Sequence, residues 1–159
     1  MSDAQAGSPA LRYICRVEEE NLEWMFALTK SNMQTMYEQV WGWDDDDKLR
    51  ELQHRDSRFF VIDREAFVHF RFEHDEDVYV LYVYELQVEE VHRGRSLGRK
   101  LMRAVEDLGR RLGCEKVMLT VFASNAGARR FYGRLGYETD ASSPELGTEG
   151  YLIISRSLR

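Results

Sequence analysis

Val78-Tyr-Val-Leu-Tyr-Val-Tyr-Glu-Leu-Gln-Val88, followed shortly by Arg93-Gly-Arg-Ser-Leu-Gly98, is the stretch on which the fold turns. The valine, leucine and tyrosine run reads as the interior of a sheet. After the Arg/Gly turn, Leu97, Leu101, Met102, Val105, Leu108 and Leu112 recur at helical spacing, which predicts an amphipathic helix from Leu97 to about Leu112. A strand, a short basic turn and a helix N-terminus make a cradle for anions. Backbone N–H groups and the positive end of the helix dipole converge on one place. The ligand expected there carries phosphates. The turn has neither the Gly-Lys-Ser/Thr of a Walker loop nor a Gly-x-Gly-x-x-Gly dinucleotide fingerprint.

Working outward, Lys116–Phe122 reads as a second strand, Asn125 to Leu135 as a helix, Tyr137 as the start of a short strand, and Gly150–Ser157 as the strand that closes the sheet. Upstream, the pattern predicts a strand over Leu11–Val17 and a helix from Glu18 to about Gln39, with a possible break near Thr29–Asn32. Asp44–Asp47 precede Lys48-Leu-Arg-Glu-Leu52 as acidic residues suited to a first helical turn. Arg58–Asp63 and Ala66–Phe72 form a meander, and Glu73–Asp77 a polar turn. The sum is a single α/β domain: a mixed, mostly antiparallel central sheet flanked by helices, over residues 10–159, behind a flexible tail at residues 1–9.

A chain of 159 residues with 43% apolar side chains supports one packed core. Cys15 and Cys114 stand alone, without ligand spacing, so neither a disulfide framework nor a metal site is expected. No run approaches membrane-spanning length. Residues 1–91 carry 9 Lys/Arg against 21 Asp/Glu, whereas residues 92–134 carry 11 against 3. The basic segment coincides with the phosphate cradle, and the acidic remainder argues against nucleic acid as a partner and for something basic.

Taken together, Arg93, Ser96 and Gly98, then Lys116–Phe122, Asn125-x-x-Ala128-x-x-Phe131-Tyr132 and Leu135-Gly-Tyr137, resemble the GNAT acetyltransferases. That resemblance implies acetyl-coenzyme A as cofactor, coenzyme A as product, no metal, and direct acetyl transfer to an amine. It places cofactor contacts at Leu86, Val88, Arg93, Gly94, Arg95, Ser96, Leu97, Gly98, Arg99, Asn125 and Arg129. Ser96 stands where the family has glycine, which matters only if the turn needs a positive φ there. Asn32–Gln39, Trp41-Gly-Trp43, His69–Phe72 and Leu81–Gln87 are similar to the histone-directed N-terminal acetyltransferases within that family. This narrower resemblance implies a basic protein N-terminus, the Ser-Gly-Arg-Gly end of core histones, as acceptor. It also implies a monomer working in cytoplasm and nucleus. It assigns the acceptor pocket to Tyr37, Trp41, Glu73, Asp75, Tyr82, Tyr84 and Tyr151.

The residues also speak for themselves. Glu85 is the one charge in the Val78–Val88 run, a costly placement unless it has work to do. Two roles remain open: general base, acting through a water, or a carboxylate satisfied by neighbouring tyrosines. Tyr82 and Tyr84 share one face at period two, and they, like Trp41 and Trp43, suit either core packing or an amine pocket. Glu73 and Asp75 leave the same side if the strand continues through them; they suit a solvated acidic turn or, as the resemblance implies, the positions that hold the acceptor's backbone and arginine. By resemblance Tyr84 belongs with Glu85 at the chemistry, and Tyr132 is placed to return a proton to a leaving thiolate. Asn125 suits both a helix N-cap and a contact to the pantetheine arm. Acetylation of a lysine or a small amine, and a non-catalytic coenzyme A-binding module, remain the alternatives.

Overall fold

The computed structural model describes residues 10–159; the tail assigned to residues 1–9 lies outside the described residues. In chain order the elements are β1 (Leu11–Ile14), α1 (Glu19–Val40), α2 (Asp45–Gln53), β2 (Arg58–Ile62), β3 (Ala66–Asp75), β4 (Val78–Val88), a 3-10 turn (Glu90–His92), α3 (Leu97–Arg111), β5 (Lys116–Phe122), α4 (Ala126–Arg134), β6 (Glu138–Thr139) and β7 (Tyr151–Ser157). The strands form one sheet in the order β1-β2-β3-β4-β5-β7-β6, antiparallel throughout except for the parallel pair β4–β5. Strands β4 and β5 coincide with their sequence readings. β1 ends at Ile14 rather than Val17, and α1 runs unbroken through Thr29–Asn32. The Thr29 hydroxyl donates back to the Met25 carbonyl at 2.8 Å, so the helix absorbs the group expected to break it. β3 continues through Glu73 to Asp75, which reduces the turn to Glu76 and Asp77, with Glu76 in the left-handed region at φ 53°.

Both faces of the sheet are covered. Leu97, Leu101, Met102 and Val105 of α3 pack on Val68, Phe70, Leu81 and Val83 of one face. Met25 and Leu28 of α1, with Leu52 of α2, pack on Phe59, Val61 and Phe67 of the other. These are the apolar positions that the helical and alternating patterns single out.

Two irregularities of β4 set up the site. Glu85 pairs with His69 and Val83 with Phe70, so Tyr84 is an extra residue in a β-bulge. Strict alternation from Leu81 and Val83 would send Glu85 into the apolar face under α3. The bulge instead turns Glu85 and Gln87 toward α1 and α2, and hands Leu86 and Val88 to the α3 side. The second irregularity is a splay. β4 and β5 pair only from Val80–Val83 against Lys116–Leu119. Beyond that, Tyr84–Val88 and Thr120–Phe122 run on without pairing each other, and a cleft opens between the strands.

Candidate active site

The cradle forms as its sequence suggests. Ser96 occupies the N-cap of α3 at φ 62°, ψ 22°, Gly94 precedes it at φ 80°, and no side chain caps the helix. The first-turn N–H groups are therefore left to an anionic ligand. Gly98 is fixed by packing: a Cβ there would stand 3.1 Å from Cζ of Phe131 on α4. The turn does require a positive φ at Ser96, a conformation that costs a non-glycine residue roughly 1–2 kcal/mol. Ser96→Gly is expected to stabilise the fold by about 1 kcal/mol, after the added freedom of the unfolded chain, and to raise Tm by about 2–4 °C. A thermal melt with no rise would show that the serine is unstrained.

The cradle opens on a cavity of about 830 Å³ lined by Leu86, Val88, Arg93, Gly94, Ser96, Leu97, Gly98, Arg99, Asn125 and Tyr132 among others. These are sequence candidates brought together. Arg134, which the sequence reading did not single out, also lines it. Arg95 and Arg129 do not; the Arg129 guanidinium donates to the Ala123 carbonyl at 3.2 Å. Asn125 does cap α4, accepting from the Ala128 N–H at 3.1 Å, and still faces the cavity.

Asn125, Tyr132, Met33, Leu86, Gln87 and Ala128 also line a second cavity of about 370 Å³ in the β4–β5 splay, and this narrower space contains Glu85. The Glu85 side chain is 4% exposed. Its Oε1 accepts from the Tyr37 hydroxyl at 2.5 Å and from Lys48 Nζ at 2.8 Å, and its Oε2 accepts from Gln87 Nε2 at 2.8 Å. A carboxylate offers about four acceptor positions. Three are filled here, which leaves one, on Oε2. Lys48 is 5% exposed and also contacts Glu51 and the Tyr37 hydroxyl. Burial alone would lower the Lys48 pKa, but the carboxylate of Glu85, backed by Tyr37 and Glu51, outweighs it and holds the ammonium well above its ordinary value. Burial raises the Glu51 pKa, with Lys48 opposing. Tyr132 is buried, which pushes its hydroxyl pKa well up, and the charge of Glu85 adds to the rise.

Tyr37, Trp41, Glu51 and Tyr84 line both this waist and a third cavity of about 700 Å³ that opens beside α2, where Trp43 and a set of Asp44, Asp47, Lys48, Arg50, His54 and Arg71, charge-balanced once Glu51 is counted, complete the wall. Trp41 is 51% exposed and packs at a tilt against Tyr151, 5.2 Å between centroids. Trp43, whose indole N–H donates to Asp45 at 2.7 Å, packs on Tyr37 and Phe26 while facing the third cavity. The Tyr82 hydroxyl bonds Thr120 across the splay. Glu73 accepts from the Tyr84 hydroxyl, which desolvation and that bond push upward in pKa. Asp75 lies 3.7 Å from Lys116. Neither carboxylate lines any of the three cavities.

Sequence reading missed Asn32, Lys48, Glu51, Gln87 and His69 as site residues. Lys48 gave a signal that went unread: its position on the apolar face with Leu52, four residues on, points it inward. His69 is fully buried between the rings of Phe59 and Tyr84, at 4.8 and 5.2 Å, with Nε2 2.7 Å from the Ser57 hydroxyl. Burial, aided by Arg71, holds its pKa well below 6.5. The unfolded chain then binds a proton that the native state refuses. Stability should therefore fall as pH drops below about 6.5, and His69→Gln should flatten that slope in urea titrations.

Three cavities, the middle one sharing lining residues with each of the others, lead from a cationic cradle, past a buried carboxylate, to an aromatic mouth of mixed charge. Such a layout suits group transfer from a phosphorylated carrier. The chain belongs to the GNAT acetyltransferase family, whose family model, "Acetyltransferase (GNAT) family", matches residues 19–137. Acetyl-coenzyme A is the cofactor of this family, and the uncapped α3 N-terminus and the open splay fit it. Yeast (Saccharomyces cerevisiae) N-alpha-acetyltransferase 40 is 39% identical over 79 residues, 45% of this chain and 27% of the yeast protein. The matched stretches span under half the length of the curated relatives. Among solved structures, a chain of the NatC complex bound to Gag peptide and coenzyme A superposes with TM-score 0.70 at 15% identity, covering 94% of this chain and 99% of that one. Arabidopsis thaliana Naa50 with the bisubstrate analogue CoA-Ac-MVNAL does so with TM-score 0.65 at 17% identity, covering 92% and 98%. At those identities the likeness speaks for the fold.

Proposed function

We propose that the chain transfers an acetyl group from acetyl-coenzyme A to the N-terminal α-amine of a protein with a basic tail, the Ser-Gly-Arg-Gly terminus of core histones being the leading acceptor. One observation carries the reading: Glu85 lines the cavity in the β4–β5 splay, between the cradle and a third cavity walled by the rings of Tyr37, Trp41, Trp43 and Tyr84. Its similarity to N-alpha-acetyltransferase 40 supports the choice of acceptor. When bound, acetyl-coenzyme A supplies an activated thioester. The free acceptor position on Glu85 Oε2 takes the amine proton, directly or through one water. Tyr132, kept protonated by burial and by Glu85, is the donor available to the departing thiolate. Tyr37, Trp41, Tyr82 and Tyr84 enclose the acceptor, while Tyr151 lines none of the three cavities and backs Trp41 from β7.

An α-amine suits one carboxylate base better than a lysine does. Its pKa is near 7.7–8.0 against about 10.4 for lysine, so deprotonation costs on the order of 3.5 kcal/mol less. Glu73 and Asp75, on one side of β3 but outside the three cavities, are held by Tyr84 and Lys116 and would take an arginine that follows the amine by exchanging those partners. Replacing both by their amides should impair a Ser-Gly-Arg-Gly peptide roughly tenfold more than its third-position alanine counterpart, about the worth of one charge-assisted contact. Equal impairment would remove them from arginine recognition. The apparent KM of the basic peptide should rise with salt and that of a neutral one should not.

A panel of N-terminal peptides, assayed for thiol release with the acetyl position located by mass spectrometry, tests the reading. Acetyl on the α-amine supports it. Acetyl only on a lysine ε-amine or a polyamine overturns it in favour of another acceptor, and coenzyme A binding without thiol release favours a non-catalytic module.

A further inference from the structure

A single file of hydrogen bonds joins the cofactor cradle to the acid at the waist. Arg93 Nη2 donates to Asn32 Oδ1 at 3.0 Å, Asn32 Nδ2 donates to Gln87 Oε1 at 3.0 Å, and Gln87 Nε2 donates to Glu85 Oε2 at 2.8 Å. The ends dictate the middle. A guanidinium can only donate and a carboxylate can only accept, so one orientation of the two amides satisfies all four groups. Every donor points from the cradle toward Glu85, and aligned bonds of this kind polarise one another. The elements have no other reason to agree: Asn32 sits on α1, Gln87 on β4 and Arg93 in the turn before α3. Gln87 faces this side only because the bulge at Tyr84 turned it with Glu85.

We propose that Asn32 and Gln87 are positioning residues that couple the phosphate cradle to Glu85, so that cofactor occupancy and the placement of the acid support one another. This rests on the acetyltransferase reading of the same site. Arg93 spends Nη2 on Asn32 and Nε on the Val88 carbonyl at 3.4 Å, which holds the guanidinium across the cradle mouth and leaves further N–H donors for phosphate. The chain pre-organises Arg93 for the anion. By linkage, bound coenzyme A must order Glu85 by the same factor that Glu85 strengthens coenzyme A binding.

The test is a double-mutant cycle on coenzyme A affinity, measured by calorimetry on the full chain without any acceptor, with circular dichroism melts confirming folded variants. Glu85→Gln sets an amide N–H₂ against that of Gln87 and disrupts the file at its far end. It should weaken coenzyme A binding about three- to tenfold in the native background, the size expected for residues in one network. In an Asn32→Ala background, where the file is already cut, the same change should move Kd less than twofold. Asn32→Asp can still accept from Arg93 but has no donor for Gln87, and it should abolish the coupling as alanine does. Additive effects in folded variants, or a coupling that survives Asn32→Asp, would reduce the file to a structural tie and overturn the proposal. Absence of coenzyme A binding by the unaltered protein at millimolar cofactor would overturn the acetyltransferase reading itself, and this inference with it.

Discussion

Lys48→Met is expected to destabilise the protein by about 3–5 kcal/mol, the range for removing one partner of a buried ion pair. The reason is the company Lys48 keeps. Its ammonium, 5% exposed, lies 2.8 Å from a Glu85 carboxylate that is itself 4% exposed, and it also contacts Glu51. Methionine fills much of the same volume, so packing is largely kept, but two carboxylates lose the cation between them, and only Arg71, near Glu51, remains to offset their charge. The penalty depends on pH with a definite sign. Burial raises the Glu51 pKa and Lys48 opposes that rise, so without the ammonium the native state favours the protonated acid at Glu51 still more than the unfolded chain does. It therefore binds more protons, and stability falls as pH rises. Urea unfolding followed upward from about pH 4.3, the unfolded glutamate value, should show the variant losing stability with pH more steeply than the unaltered protein. A loss under about 1 kcal/mol, with no added slope, would mean that Lys48 contributes no more than a surface pair.

What could be read in advance follows the physics of repetition. β4, β5, α3 and α4 announce themselves because burial imposes periods of 2 and 3.6 residues, and the turn at Arg93–Gly98 because a phosphate cradle needs backbone donors at a helix start. The basic charge of residues 92–134 marks the cradle end, whereas the acidic balance of residues 1–91 does not mark the other, whose wall sets Asp44, Asp47 and Glu51 against Lys48, Arg50 and Arg71. The bulge at Tyr84 was not legible. It is a single unpaired residue that depends on the partner strand's register, and alternation counted along β4 alone runs straight through it. Missing it hides the partners of Glu85. A strictly alternating β4 aims Glu85 at α3, whereas the folded chain aims it at α1 and α2, where Tyr37, Lys48 and Glu51 wait. Lys48 was hidden for another reason. The four aspartates before it read as a solvated helix start, which they are, and drew attention from a lysine one turn later that is buried. Asn32 and Gln87 are neutral amides whose roles exist only in the file they complete. Ser96 is the opposite case: its departure from glycine was visible, and the left-handed backbone then gave it a cost.

Glu85→Gln is expected to cut turnover by about 10²-fold, the lower end for loss of a general acid–base group. The fold should survive, because Lys48 keeps Glu51 as a partner and the amide oxygen still accepts from Tyr37. That separates the effect from the collapse expected of Lys48→Met, although the two side chains touch. The lower end of the range follows from the acceptor. An α-amine with pKa near 7.7–8.0 is partly neutral at pH 7, so the base assists a proton loss that solvent also accomplishes. The deficit should accordingly narrow as pH climbs toward 9, where the amine arrives neutral and has less need of Glu85. Rates of the two proteins, measured with saturating acetyl-coenzyme A and an N-terminal peptide from pH 6.5 to 9, would trace converging curves. Parallel curves at 10²-fold separation would assign Glu85 to holding the acceptor or shaping the waist rather than to taking its proton. Coincident curves would take Glu85 out of the chemistry. Tyr37, whose hydroxyl shares Oε1 with Lys48 and whose pKa is driven up first by burial and then by Glu85, would then be left as a neutral phenol with only a structural part.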